Sequence, residues 1–144
     1  MSVGRFCTRV VATAAPDETV RAASERMAEF DVGTLVVVDG QSEKPVGIVT
    51  DRDVTIRCLA GGHDPDQTHL KEIMSSPVHS VDEHTPTEEG MSRMAAAGVR
   101  RVVVTGPEGV LMGLFSLDDA LDLVVEEVTT IGRLLEKQAP KIAI

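Results

Sequence analysis

The sequence predicts a mixed α/β (α+β) chain built from two copies of one β-α-β-β-α unit. Three observations carry this: a residue pattern that recurs at a nearly fixed offset, apolar spacing that switches between strand and helix, and Gly/Pro-containing turns between the segments. Val11, Arg26-Met27-Ala28, Val32 and Val36-Val37 recur 67 positions later as Val78, Arg93-Met94-Ala95, Val99 and Val103-Val104. Gly47, Thr50 and Asp53 recur 66 positions later as Gly113, Ser116 and Asp119, so one loop residue is lost between the halves. A duplication constrains a fold more than any isolated motif, because each copy must form the same supersecondary unit.

In the first half, VVATA (10–14) reads as a short strand, and Val20, Ala23, Met27 and Phe30 then share one face of a helix. LVVVD (35–39) is a strand apolar on both faces, DGQSEKP (39–45) a turn, and VGIVT (46–50) the next strand. A helix follows from about Asp51 to Ala60 and stops at Gly61-Gly62. GGHDPDQTHLKEIM is a polar linker that becomes helical near Leu70. In the second half PVHSV is a strand, and a helix over 86–97 has Thr85 as N-cap, Pro86 at its first position and Glu88 at its third. RVVVT, the turn GPEG, VLMGLFS and a helix from Leu117 complete the copy. Beyond Leu121, a stripe of Val124, Val128, Ile131 and Leu135 exceeds what the repeat needs and ends at Pro140. Such a stripe requires a neighbour, either the domain's own sheet or a second chain. The division is therefore 5–61, a linker at 62–71, 72–127, and a helix and tail at 128–144.

Composition narrows the function classes. With 23 acidic and 14 basic residues the formal charge is -9, which disfavours nucleic acid and anionic membrane as partners. The apolar run LVVV is far short of the roughly 20 residues that span a bilayer, and no signal peptide is read at the start, so the expected location is cytoplasmic. Cys7 and Cys58 are then expected as reduced thiols. His63, His69, His79 and His84 fit no metal-ligand spacing, and no nucleophile lies in a readable catalytic motif, so neither a metal site nor an enzyme is expected.

The segments GIVTDRDV (47–54) and GLFSLDDA (113–120) carry the remaining signal. Each follows glycine and two apolar residues with [ST]-x-x-D, the pattern of a capping box that starts a helix. A helix N-terminus also favours anions, so Thr50/Asp53 and Ser116/Asp119 can start helices and meet a ligand at once.

Taken with IMSSPVHSV (73–81), its degraded copy FCTRVVATA (6–14), and the strands VGTLVVVD and VRRVVVT, these segments resemble a tandem pair of CBS domains, the modules named after cystathionine beta-synthase. The resemblance implies two halves packed through their sheets about a pseudo-twofold axis, with a cleft on each side. It implies a regulatory module that binds an adenosyl ligand (AMP, ADP, ATP or S-adenosylmethionine), requires no cofactor, and signals as a homodimer or through an effector protein. It further implies that Asp53 and Asp119 accept hydrogen bonds from ribose hydroxyls and that Thr50 and Ser116 face ribose or phosphate. Gly33 and Thr34 are implied to offer backbone groups, and Arg100 and Arg101, expected nearest the Asp119 cleft, to grip phosphate. Thr85 matches an adenine-facing hydroxyl; its counterpart Glu18 departs from that pattern and is expected to trouble a phosphate in the cleft it shares with Asp119. The alternative is a ligand-free structural or stress-related dimer whose clefts are closed by Met74, Met112 or Phe115.

Overall fold

The computed structural model describes residues 1–140, so the last four residues of the expected tail lie outside the described residues. Each half holds one three-stranded sheet. In the first, β1 (Thr13–Ala14) pairs parallel to β2 (Thr34–Val38), which pairs antiparallel to β3 (Pro45–Thr50). In the second, β4 (Ser80–Asp82), β5 (Arg101–Thr105) and β6 (Leu111–Ser116) repeat that order and those directions. Helices α2 (Val20–Phe30) and α5 (Thr87–Ala97) make the parallel crossovers. The fold is thus the mixed α/β pair of units that the repeat predicts.

Strand parity decides what each sheet face does. Leu35 and Val37 belong to the core of the first half with Val20, Ala23, Met27 and Val49; Val102 and Val104 do the same in the second half with Val81, Met94 and Phe115. Val36 and Val103 point to the opposite faces, yet both are fully buried. What covers those faces is the other half: Thr34, of the same parity as Val36, meets Arg101, of the same parity as Val103. Both faces of each central strand are therefore buried, which is why the sequence there is a continuous apolar run. Phe30 departs from its expected place, being 56% exposed at the last turn of α2.

Two local expectations are corrected. Thr85 does not cap α5: the helix begins at Thr87, Pro86 stands at the cap without a side-chain bond, and the Thr85 N–H donates to Asp82 O in a turn. Helix α3 (Asp51–Asp53) does not run to Ala60 as an α-helix but widens over Val54–Leu59 into a π-helix. The Ala60 and His63 N–H groups reach back five residues, to Thr55 O and Cys58 O.

The halves also exchange their leading segments. Helix α1 (Val3–Phe6), absent from the sequence-based expectation, places Val3 in the core of the second half. Helix α4 (Leu70–Ile73) places Leu70 and Ile73 in the core of the first, although Ile73 was expected to belong to the second unit. The bonds repeat with the duplication. Val3 N–H donates to Thr85 O and Gly4 N–H to Glu83 O; Leu70 N–H donates to Glu18 O and Lys71 N–H to Pro16 O. Thr8 pairs with Leu114, and Ser75 pairs with Ile48.

This exchange explains the glycine that opens each repeated segment. A Cβ on Gly113 would lie 2.6 Å from Thr8 O and 2.9 Å from Cys7 Sγ; one on Gly47 would lie 2.4 Å from Met74 Sδ and 3.2 Å from Ser75 O. The incoming strand passes too close for any side chain.

The last helix, α6 (Leu117–Gln138), buries only Ala120 and Leu123. The remainder of its apolar stripe does not reach its own sheet: Leu121, Val124, Val128, Ile131 and Leu135 are each 46–64% exposed. No helix among the described residues is long and apolar enough to cross a membrane.

Candidate functional site

Residues directly opposite in an antiparallel pair share a sheet face. Thr34 lies opposite Thr50, and Arg101 opposite Ser116, so all four side chains occupy the buried face between the halves. The Arg101 Nη1 donates to Thr34 Oγ1, joining them into a polar row from Thr50 through Thr34 and Arg101 to Ser116. A cleft opens at each end of this row.

At the Thr50 end lies a cavity of about 410 Å³ lined by Thr50, Arg52 and Asp53 of the first half and by Val99, Arg100 and Arg101 of the second, with Ser75, Pro77, Val78 and His79 along one wall. At the Ser116 end lies one of about 360 Å³, lined by Ser116, Asp118, Asp119 and Arg101 of the second half and by Val32, Gly33 and Thr34 of the first, with Thr8 and Val10 to Ala12. Both volumes fall in the roughly 300–1,000 Å³ of small-molecule sites. Each cleft draws residues from both halves.

Both aspartates are held by capping boxes. Asp53 Oδ2 accepts from Thr50 N–H at 2.9 Å, and Thr50 Oγ1 accepts from Asp53 N–H at 3.2 Å. Asp119 Oδ2 accepts from Ser116 N–H at 2.7 Å and from Ser116 Oγ at 2.9 Å, while Ser116 Oγ accepts from Asp119 N–H. The box thus engages one carboxylate oxygen and fixes where the other points. In Asp53 that second oxygen lies 3.6 Å from Arg57 Nε. Arg57 also donates to Ile73 O, at 2.9 Å, tying the incoming α4 segment to the helix that carries the aspartate.

The electrostatics of the clefts differ. Arg52, Arg100 and Arg101 against Asp53 make the first cationic, whereas Asp118 and Asp119 against Arg101 make the second acidic. This corrects the placement of the arginine pair. Arg100 lines the Asp53 cleft alone, and Arg101 lines both, because a strand entering at the axis lies beside the opposite half's helix start as much as its own. Arg101 is the inward, half-buried member of the pair and Arg100 the exposed one. Arg52 and His79 complete the first wall.

Thr85 lines neither cleft. Glu18 does not face Asp119 either: its Oε2 takes hydrogen bonds from Arg26 Nη1 at 2.9 Å and Ala15 N–H at 2.6 Å, and the Arg26 bond holds its carboxyl below the usual range. No like charge from Glu18 therefore enters that cleft. The side chains thought able to close the clefts lie elsewhere: Phe115 is fully buried in the second core, Met74 packs on the first core over Gly47, and Met112 packs on the second beside Gly106. Cys7 and Cys58 are free thiols, and burial pushes the Cys7 thiol up, away from the reactive thiolate. Among the described residues, no group of three or more His, Cys, Asp or Glu side chains is placed to hold a metal ion.

A family model described as "CBS domain" matches residues 3–59 and 70–126. The chain belongs to the CBS-domain family. It is 33% identical over 137 residues to the uncharacterized protein MK0525 of Methanopyrus kandleri, covering 95% of this chain and 69% of that one. Among solved structures, a putative signal-transduction protein with CBS domains from Burkholderia ambifaria superposes with a TM-score of 0.77 at 28% identity, covering 99% of this chain and 100% of that one. The CBS domain protein PAE2072 from Pyrobaculum aerophilum, complexed with AMP, gives a TM-score of 0.74 at 26% identity, covering 83% and 89%. Both matched CBS domains begin with the segments that the two halves exchange.

Proposed function

We propose that this CBS pair is a regulatory module that binds a phosphorylated adenosyl ligand, AMP, ADP or ATP, in the Asp53 cleft and reports its occupancy through its own dimer or a partner protein. The observation that carries this is the joining of Thr50 and Asp53 with Arg100 and Arg101 in one cavity. A carboxylate accepts two ribose hydroxyls at once, and guanidinium groups bind phosphate by charge-assisted hydrogen bonds. The complex of PAE2072 with AMP supports the same ligand class. Since the cleft is built from both halves, a ligand there favours whichever relative arrangement of the halves fits it better.

The test is thermal melting with and without millimolar AMP, ATP or S-adenosylmethionine. A ligand at 100 times its dissociation constant stabilises by about 2.7 kcal/mol. The phosphorylated ligands are expected to raise the melting temperature most, and no shift with any of the three returns the chain to the ligand-free dimer.

The dimer that transmits this occupancy is formed, in this reading, by α6 of two copies. Its exposed residues 121, 124, 128, 131 and 135 follow the alternating three- and four-residue spacing of a coiled-coil seam. Asp118, Asp119, Asp122, Glu126 and Glu127 crowd its first half, while Arg133 and Lys137, with Glu136 between them, leave its end net positive. Antiparallel pairing sets these opposite charges against each other. Ile131→Asp is expected to turn the dimer into a monomer in sedimentation.

A further inference from the structure

Of all the side chains lining the two clefts, only Arg101 lines both. It stands at the first position of β5, and the Thr34 hydroxyl to which it donates stands at the first position of β2. The two are repeat equivalents, 67 residues apart. Equivalent positions of two related units touch each other only where the axis relating them passes. A side chain at that point reaches either cleft, and here the duplicated position carries one charge where a symmetric pair would carry two.

We propose that Arg101 is a single phosphate-binding guanidinium for which the two clefts compete, so that a phosphorylated ligand in the Asp53 cleft excludes a second one from the Asp119 cleft. This rests on the nucleotide-binding reading and adds a coupling between its sites. When Arg101 turns to a phosphate beside Asp53, the residues lining the other cleft retain Asp118 and Asp119 and lose their cation. A second phosphate then meets two carboxylates with nothing to offset them. The Asp53 cleft also has Arg52 and Arg100, so it is the cleft that a phosphorylated ligand fills first. Coupling of this kind is reciprocal: a ligand in either cleft weakens binding in the other by the same factor, so a variant that leaves the Asp53 cleft empty frees Arg101 for the Asp119 cleft.

That reciprocity supplies the experiment. The whole chain is titrated calorimetrically with AMP as wild type, as Asp53→Asn, which keeps an oxygen for the cap, as Arg101→Ala, and as the double variant. Wild type is expected to bind one AMP per chain, with a second event at least about tenfold weaker. In Asp53→Asn the Asp119-cleft event should tighten at least threefold over that second event. In the Arg101→Ala background the same Asn substitution should leave it unchanged. Two equal and independent AMP events in the wild type, or a second event that Asp53→Asn does not tighten, overturn the competition and leave the nucleotide reading standing. Absence of AMP binding in the wild type overturns both. If Arg101→Ala does not fold, the Asp53→Asn outcome decides alone.

Discussion

The two halves share a sheet order, a register and an exchange of leading segments, and they differ where the duplicated backbone meets charge or close contact. Both carry the same capping box, yet one opens on three arginines and the other on two aspartates. Both crossover helices end in a left-handed residue, but it is Asp31 (φ 51°) after α2 and Gly98 (φ 66°) after α5. Both exchanged strands press on a glycine, but Gly113 faces a rigid carbonyl and Gly47 a flexible thioether. Duplication preserved the scaffold and left its shared positions free to diverge, and each divergence can be measured against its twin.

The largest expected effect lies at the glycines. Gly113→Ala should destabilise by about 3 kcal/mol and Gly47→Ala by about 1 kcal/mol, because backbone cannot yield as a methionine end can. Denaturant midpoints of the two variants check this, and equal losses would erase the distinction. Next, Asp53→Ala should weaken AMP binding about tenfold or more while costing no more than about 1 kcal/mol of stability, the value of a helix cap. Asp119→Ala should leave the tight AMP event within about twofold, since that event belongs to the other cleft. Calorimetry compares the two variants directly. A smaller effect is expected at the helix ends: Asp31→Gly should stabilise by about 0.5–1 kcal/mol, and Gly98→Asp should destabilise by a similar amount, as read by melting temperature.

The smallest concerns pH. The Arg26 hydrogen bond holds the Glu18 carboxyl below its ordinary value of 4.5. A depressed carboxylate contributes stability above its unfolded value, and that contribution fades as the pH falls through the folded one. Glu18→Gln should therefore be less stable than wild type by at most about 1 kcal/mol at neutral pH, with the gap closing as the pH falls below 4.5. Its counterpart Thr85 gains and loses no proton in this range, so Thr85→Val should show a gap that does not vary with pH.

The parts of the fold legible in the sequence were those written in local periodicity. The strands around Val36 and Val103, the helices around Met27 and Met94, and both capping boxes each need only their neighbours to be recognised. The parts that were not legible depend on contacts between distant segments. Val3 and Ile73 are apolar residues in short, weakly patterned stretches, and nothing local reveals that each fills the other half's core. The placement of Arg100 and Arg101 failed for the same reason: strand alternation tells which arginine points inward, but not which helix start lies across from it. Thr85 satisfied the letter pattern of a capping box, while the turn back to Asp82 and the bond from Val3 to its carbonyl claimed its backbone. The site's charge asymmetry was thus visible as residues and invisible as geometry.

The exchange of leading segments has a consequence for the chain's divisibility. A fragment ending near Leu59 would lack Leu70 and Ile73 from its core, and a fragment beginning there would lack Val3. Each half, although a complete repeat, draws part of its core from a segment that precedes the other half. A single repeat could obtain its missing segment only from a second copy of itself, which is domain swapping. The present chain has the geometry of such a swapped pair within one polypeptide, and the loop between Gly61 and His69 joins the two repeats.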